Sequence, residues 1–494
     1  MVGSSDTGGG RRAVRVPGTP PSAPPAVRTR RAVTLLAMSL IVPGSAQLTA
    51  GNVRIGRLVT RTWLGAVALA ALGGLTYLAD RATLLSIVTS TFVLSSVAVV
   101  LFVGAVLWPL LVIDAWRLSR PHLLPRRARL AVSCLTLMMV LVTSVPLVAT
   151  GRRVWAGADF IDGVFHPGPA SAAHQGRFNV LLMGGDAGNG RIGVRPDSLT
   201  LVSIDAETGR PVLFSLPRNL EDVPFPPGTP AAKAMPEGWS CGDSCLLNGL
   251  YTWGSEHRDL FPGEADPGAA AMKQAVTGIT GLSVNYYVLI DLRGFSNLID
   301  AMGGVDVRVG QPIPIGGGTS RITGWIRPGN RHLDGYHALW YARSRHGASD
   351  YERMARQRCV MDAMLRQLDP GTVLAKFQGL AAAGKNIIST DIPATHLGTL
   401  LDLAVGAKGQ KASSVQFVPP LINPARPDLR LIRHKVAVAV KTSEDASASQ
   451  MKVVPKGTAT SSRPTDRMSR SPNPSQPASA PAEVSDVSSV CGVA

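Results

Sequence analysis

Cysteine is scarce in this chain: 5 occur among 494 residues, too few and too scattered to build a disulfide scaffold or a zinc ribbon. Any globular part must therefore be held together by burial. Acidic residues are also outnumbered, with Asp+Glu 33 against Lys+Arg 50 and a formal charge of +17. That excess alone admits nucleic acid, a membrane surface or an anionic ligand. Several catalytic signatures are missing as well. There is no Walker loop, no His-Glu-x-x-His and no Gly-x-Ser-x-Gly elbow, and Gly184, Gly185, Gly188 and Gly190 lack the dinucleotide-binding spacing.

Long apolar runs are present, and arginines flank them. Residues 1–31 are rich in Gly, Pro, Ser and Arg and read as a disordered basic tail. The run Ala32 to Leu48 is broken by Pro43 and Gly44 and has arginines on both sides, so it reads as a re-entrant dip rather than a crossing. Residues 62–79, 92–113 and 130–149 are each of roughly spanning length for a ~30 Å hydrocarbon core. The basic loop Arg117 to Arg129 marks a cytoplasmic segment. Three crossings in a membrane region 32–150, starting from a cytoplasmic N-terminus, place everything after Thr150 outside; a fourth would reverse that.

After a linker at 151–177 the pattern changes. Residues 178–440 alternate short apolar strands with helical stretches, as in a layered α/β domain. Strands are expected at Phe178–Met183, Leu199–Ile204, Val212–Leu216, Tyr286–Ile290 and Val305–Val309. Helices are expected at Leu246–His257, Ala269–Thr280, Gly294–Met302, Asp334–Ala342, Glu352–Leu368 and Thr372–Ala383. Residues 441–494 are Ser/Pro-rich and read as a disordered tail. Cys241 and Cys245 form a small loop disulfide if that region faces an oxidising compartment, and otherwise remain two thiols.

Charge then converges. The turn Asp205 to Arg210 suits a hairpin between the second and third strands. If the first strand also pairs antiparallel with the second, one edge of the sheet collects Asp186, Arg195, Asp197 and Arg218. A second group follows in Trp-Tyr-Ala-Arg343-Ser-Arg345-His-Gly-Ala-Ser-Asp350-Tyr-Glu-Arg353-Met-Ala-Arg356-Gln357. There Arg353, Arg356 and Gln357 share a helix face. Crowded guanidinium groups repel unless an anion sits among them, and their forks match phosphate oxygens, so a pyrophosphate is the natural occupant. Asp186 and Asp197 are candidates for holding Mg²⁺, which takes hard oxygen ligands together with substrate phosphates. Phosphoryl transfer needs positioning and charge neutralisation, which arginines and a metal supply.

These residues resemble the LytR-CpsA-Psr family. The resemblance rests on Phe-Asn-Val-Leu-Leu-Met-Gly-Gly-Asp186, Arg195-Pro-Asp197-Ser-Leu-Thr and Phe-Ser-Leu-Pro-Arg218-Asn. It continues through Leu-Asn-Gly-Leu-Tyr at 247–251, Asp291-Leu-Arg-Gly-Phe-Ser, Met-Gly-Gly-Val-Asp at 302–306, Leu-Asp-Gly-Tyr-His-Ala-Leu at 333–339 and the arginine-rich run. It implies a three-layer α/β/α fold with an apolar channel for a polyprenyl tail. It also implies transfer of a glycopolymer, with its linking phosphate, from a polyprenyl-pyrophosphate carrier to a peptidoglycan hydroxyl. Arg195, Arg218, Arg343 and Arg345 then correspond to pyrophosphate-binding arginines. Asp186 and Asp197 correspond to acids linked to Mg²⁺ and catalysis, with Arg218 expected to act in catalysis beside them, and Arg353, Arg356 and Gln357 match supporting positions expected to join the pyrophosphate-binding set. Two places depart from the family pattern: Gly188 where an arginine is common, and Asn219 where an aspartate is common. The implied partners are the lipid-linked glycan, peptidoglycan and the bilayer, with no nucleic acid. A lipid-pyrophosphate phosphatase and a membrane-bound transcription attenuator are the competing functions.

Overall fold

The computed structural model describes residues 24–51, 53–165, 168–185, 195–317, 320–347, 349–367, 388–407, 410, 412–452, 485–486 and 491. The chain divides into two compact units, Met1–Leu84 with Thr91–Ala158, and Leu85–Ser90 with Asp159–Ala494.

The first unit is helical, with α1 (Pro25–Ile41), α2 (Ser45–Ala50), α3 (Val53–Ala79), α5 (Thr91–Leu118) and the first parts of α4 (Arg81–Val88) and α6 (Arg126–Val164), whose last residues belong to the second unit. Of these, α3, α5 and α6 are long and apolar enough to cross a membrane. Leu69 and Leu72 of α3 are exposed, an arrangement costly in water and suited to hydrocarbon. The chain breaks between α1 and α2 at Pro43–Gly44, and Gln47 Nε2 then donates to the Leu111 carbonyl at 3.0 Å. Two boundaries differ from the sequence reading. Helix α1 starts at Pro25, inside the segment expected to be disordered, because nothing after that proline interrupts a helix. Helix α6 continues to Val164, through half of the expected linker, because Phe160, Ile161 and Val164 bury an apolar stripe.

The second unit is built on a seven-stranded mixed sheet. Its strands are β1 (Arg177–Gly185), β2 (Pro196–Asp205), β3 (Pro211–Leu216), β4 (Tyr286–Ile290), β9 (Ile388–Thr390), β10 (Ser413–Gln416) and β11 (Ser485–Asp486), ordered β11-β10-β3-β2-β1-β4-β9. β1, β2 and β3 form the antiparallel meander expected from the polar turn, with Leu181 opposite Leu201 and Leu201 opposite Phe214. Alternation then fixes the layers. Leu181, Met183, Leu199, Leu201 and Phe214 pack beneath α8 (Gly249–Glu256), α9 (Pro267–Thr280) and α14 (Leu429–Lys452), preceded in the chain by the short α7 (Pro230–Ala234).

Across the sheet, α10 (Leu292–Met302), α11 (Gly335–Arg343) and α12 (Asp350–Gln367) share a second core with two hairpin-like pairs, β5 (Val305–Val309) with β8 (Gly329–Leu333) and β6 (Ile313–Gly317) with β7 (Ser320–Ile326). α13 (Leu397–Ala407) adds Leu403 to a smaller cluster with Phe178 and Tyr286. The result is the three-layer α/β/α arrangement. The helix expected at Thr372–Ala383 lies outside the described residues.

The segment after Val440 is also ordered further than its composition suggests. α14 runs to Lys452, because Lys441–Lys452 contains neither Pro nor Gly and the helix is already anchored by Ile432, Val436 and Ala439. Cys491 is buried and disulfide-bonded to Cys359 of α12, and Cys241 is bonded to Cys245.

Candidate active site: an arginine-lined mouth on an apolar cavity

On the α10–α12 face of the sheet, opposite α9, lies a cavity of about 1090 Å³. This is at the upper end of ordinary small-ligand pockets. Its depth is apolar, lined by Leu182, Val288, Ile290, Phe295, Leu298, Leu339, Val360, Met361 and Met364. Its mouth is not. Arg195, Arg218, Arg343, Arg345 and Arg353 all border it, beside Asp197, Asp291 and Asn248.

The meander explains how distant residues meet. β2 starts and β3 ends at the same sheet edge, so Asp197 on β2 reaches Arg218 just beyond β3; Arg218 Nη1 donates to Asp197 Oδ1 at 2.5 Å. The Arg218 loop is held to the segment before α8 by the Asn248 amide, which donates to the Arg218 carbonyl at 3.0 Å. Arg345, leaving α11, brings Nη2 to 3.6 Å from Asp197 Oδ1 and Nε to 3.5 Å from Asp350 Oδ1. Arg343, at the end of α11, lies over the Trp340 ring with Cζ 5.1 Å from its centroid. Arg195 stands immediately before β2 and borders the mouth. Asp186, with Gly188 and Gly190, lies outside the described residues.

The residues on α12 behave differently from those at the mouth. Arg353 is only 2% exposed and its donors are committed: Nη2 to Asp350 Oδ2 at 2.9 Å, Nε to Asp350 Oδ1 at 3.1 Å and Nη1 to the Asp197 carbonyl at 3.0 Å. Arg356 Nη2 donates to the Ser344 carbonyl, and Gln357 Nε2 to the Ala342 carbonyl at 3.3 Å. Those two carbonyls flank Arg343. Arg356 and Gln357 therefore fix the backbone that presents Arg343 and Arg345 to the mouth, while Arg353 braces both acids from behind.

Asp350 is the residue the sequence reading passed over. It was visible as an acid in the first turn of a helix, three residues before Arg353, a spacing that favours pairing. In the fold it also lies 3.7 Å from Arg218 Nε. Burial pushes its carboxyl up, but hydrogen bonds and charge from Arg353, then the charges of Arg218 and Arg345, outweigh that and hold it below the usual carboxylate range. Arg345 shows the reverse pressure: burial first, then repulsion from Arg353 and Arg218, lowers its guanidinium from the ordinary value. Among the described residues, four guanidinium groups at the mouth, with Arg353 behind them, face three carboxylates, Asp197, Asp291 and Asp350. The surplus is positive, so the mouth attracts an anion.

The LytR_cpsA_psr family profile matches residues 165–419, more than half of the sequence and all of the mouth. The chain belongs to the LytR_cpsA_psr family. It is 29% identical over 238 residues to the polyisoprenyl-teichoic acid–peptidoglycan teichoic acid transferase TagU of Oceanobacillus iheyensis, an overlap that takes in 47% of this chain and 63% of TagU. It is 24% identical over 249 residues to the TagV transferase of the same description from Bacillus subtilis, covering 49% of this chain and 56% of that protein. The chain thus spans less than two thirds of the length of these relatives. The crystal structure of B. subtilis TagV aligns with a TM-score of 0.39 at 23% identity, over 55% of this chain and 98% of that one. Within the LytR_cpsA_psr match fall Arg195, Asp197, Arg218, Arg343, Arg345, Asp350 and Arg353, and the cavity they border.

Proposed function

We propose that this member of the LytR_cpsA_psr family is a membrane-anchored enzyme that transfers a glycopolymer, with its linking phosphate, from a polyprenyl-pyrophosphate carrier to a hydroxyl of peptidoglycan. One observation carries the reading: a positively charged mouth opens directly into an apolar cavity, as a ligand with a doubly phosphorylated head and a hydrocarbon tail requires. The names of TagU and TagV support the same reaction class.

The residues divide the work. The apolar wall takes the polyprenyl chain, at about 25 cal/mol gained per Å² buried. Arg195, Arg218, Arg343 and Arg345 grip the pyrophosphate. Arg218 and Arg345 exchange contacts with Asp197 and Asp350 for phosphate oxygens. The acceptor hydroxyl attacks the phosphorus next to the glycan, the bridging P–O bond breaks, and its electron pair leaves on polyprenyl phosphate. The hydroxyl proton passes to solvent. The arginines neutralise charge that grows on the leaving phosphate.

Asp197 offers carboxylate oxygens at the mouth, hard ligands of the kind Mg²⁺ takes. That matches an ion that takes one or two carboxylates and completes its shell with water and phosphate. Asp197, with Asp186, would hold it, and it would add further charge neutralisation.

The topology reading belongs to the same proposal. Crossings by α3, α5 and α6 from a cytoplasmic N-terminus put the catalytic unit outside, and its two disulfides suit an oxidising compartment.

The test is release of polyprenyl phosphate by the purified full chain from a lipid-pyrophosphate oligosaccharide. The expected result is Mg²⁺- and acceptor-dependent release that falls by about 10²–10³-fold in Arg218→Ala, as for loss of one charge-stabilising donor. Release without acceptor would mark a phosphatase instead, and full activity in Arg218→Ala would refute the assignment.

A further inference from the structure

The stretch from Val307 to Leu333 contains four arginines and neither Asp nor Glu. Within it, β7 places Arg321, Thr323 and Trp325 on its exposed side, with Arg327 following in the same phase, while Ile322, Gly324 and Ile326 turn inward. Trp325 is 53% exposed, unusual for the largest side chain on a small domain surface. Arg321 and Arg327 make no ion pair among the described residues. Arg331 braces the end of the strip, donating from Nη2 to the Pro328 carbonyl at 2.9 Å and from Nε to the Arg327 carbonyl at 3.1 Å.

The strip starts at the cavity. Gly316 lines the cavity wall, and at φ 105° it sits so close to the next strand that a Cβ would meet the Arg321 carbonyl. Only glycine lets β7 lie there. From that contact the exposed face runs outward for roughly 20 Å, six residues at strand rise.

We infer that the exposed face of β7 is a docking track for an anionic glycan, engaging the polymer that extends from the pyrophosphate at the mouth. This rests on the transfer reading above and adds to it a second surface that holds the polymer beyond the mouth. Arginine forks pair with carboxylate or phosphate groups in bidentate fashion, and an exposed indole between them buries the apolar face of a sugar ring. A bilayer-docking face would instead carry several apolar side chains beside its cations, and this face carries one.

The test is binding of an oligogalacturonate, and of a neutral dextran of matched length, to the full chain in detergent at low and high salt. The account expects salt-sensitive binding of oligogalacturonate and much weaker binding of dextran. It expects about tenfold loss in the Arg321→Ala/Arg327→Ala double variant, the scale of one lost charge-assisted contact or more. Trp325→Ala should weaken binding severalfold, and Arg430→Ala, an exposed arginine elsewhere, should leave it unchanged. Melting curves check that each variant is folded. An unchanged double variant, equal loss in Arg430→Ala, equal binding of dextran, no binding at all, or binding only to phosphatidylglycerol vesicles would each overturn the inference. Failure of the transfer reaction itself would appear as absent polyprenyl phosphate release and would leave the oligogalacturonate result standing, so the two can fail separately.

Discussion

Asp350 is the hinge of the charged cluster, because it is the carboxylate that Arg353, Arg218 and Arg345 share. Removing it leaves the buried Arg353 guanidinium without its carboxylate partner, so Asp350→Ala should destabilise the second unit by about 3 kcal/mol, read as a lower midpoint in thermal unfolding. The pH dependence has a definite sign. Because the folded-state carboxyl titrates below its ordinary value, the stability it contributes is complete above the unfolded value of about 3.9 and is lost as pH falls through the lower folded value. Wild type should therefore lose stability in that acid window more steeply than Asp350→Asn. At this scale the sequence was informative about which charges gather, since the meander argument brought Arg195, Asp197 and Arg218 to one edge. It was silent on their division of labour. Shared helix phase placed Arg353, Arg356 and Gln357 together, yet whether a guanidinium faces a ligand or a backbone carbonyl depends on the neighbouring chain at Ala342 and Ser344, which periodicity does not encode.

At the scale of elements, α12 joins three functions: its first turn supplies Asp350 and Arg353, one side lines the cavity through Val360, Met361 and Met364, and Cys359 ties it to Cys491. A bridge across 132 residues of sequence restricts the unfolded chain strongly. Cys491→Ser should accordingly lower stability by about 2–5 kcal/mol, and non-reducing peptide mapping should recover the linked Cys359 and Cys491 peptides. Unlinked peptides from oxidised protein would count against this pairing. β1 to β5 and α8 to α12 were legible because apolar alternation and helical periodicity are strong there. β6, β7 and β8 were not, since their glycines, prolines and arginines resemble loop composition and the pairing that makes them strands is non-local. The helical extension to Lys452 was hidden for a related reason: Ser and Lys content suggested a tail, while the anchoring residues lie before Val440.

For the whole molecule, the positive-inside pattern predicts a catalytic unit outside the membrane. In intact cells, Ser349→Cys should react with a membrane-impermeant maleimide above the level of the parent chain; labelling only after lysis would reverse the topology. The central claim is that the cavity receives a polyprenyl chain with its pyrophosphate at the arginine mouth. Photolabelling of the full chain with a photoreactive polyprenyl-pyrophosphate analogue, followed by peptide mapping, tests it most directly. The account predicts cross-links within Leu292–Met302 and Asp350–Gln367 that fall sharply in Arg218→Ala/Arg345→Ala, whereas cross-links confined to the helices Val53–Ala79, Thr91–Leu118 and Arg126–Val164, indifferent to those arginines, would contradict it.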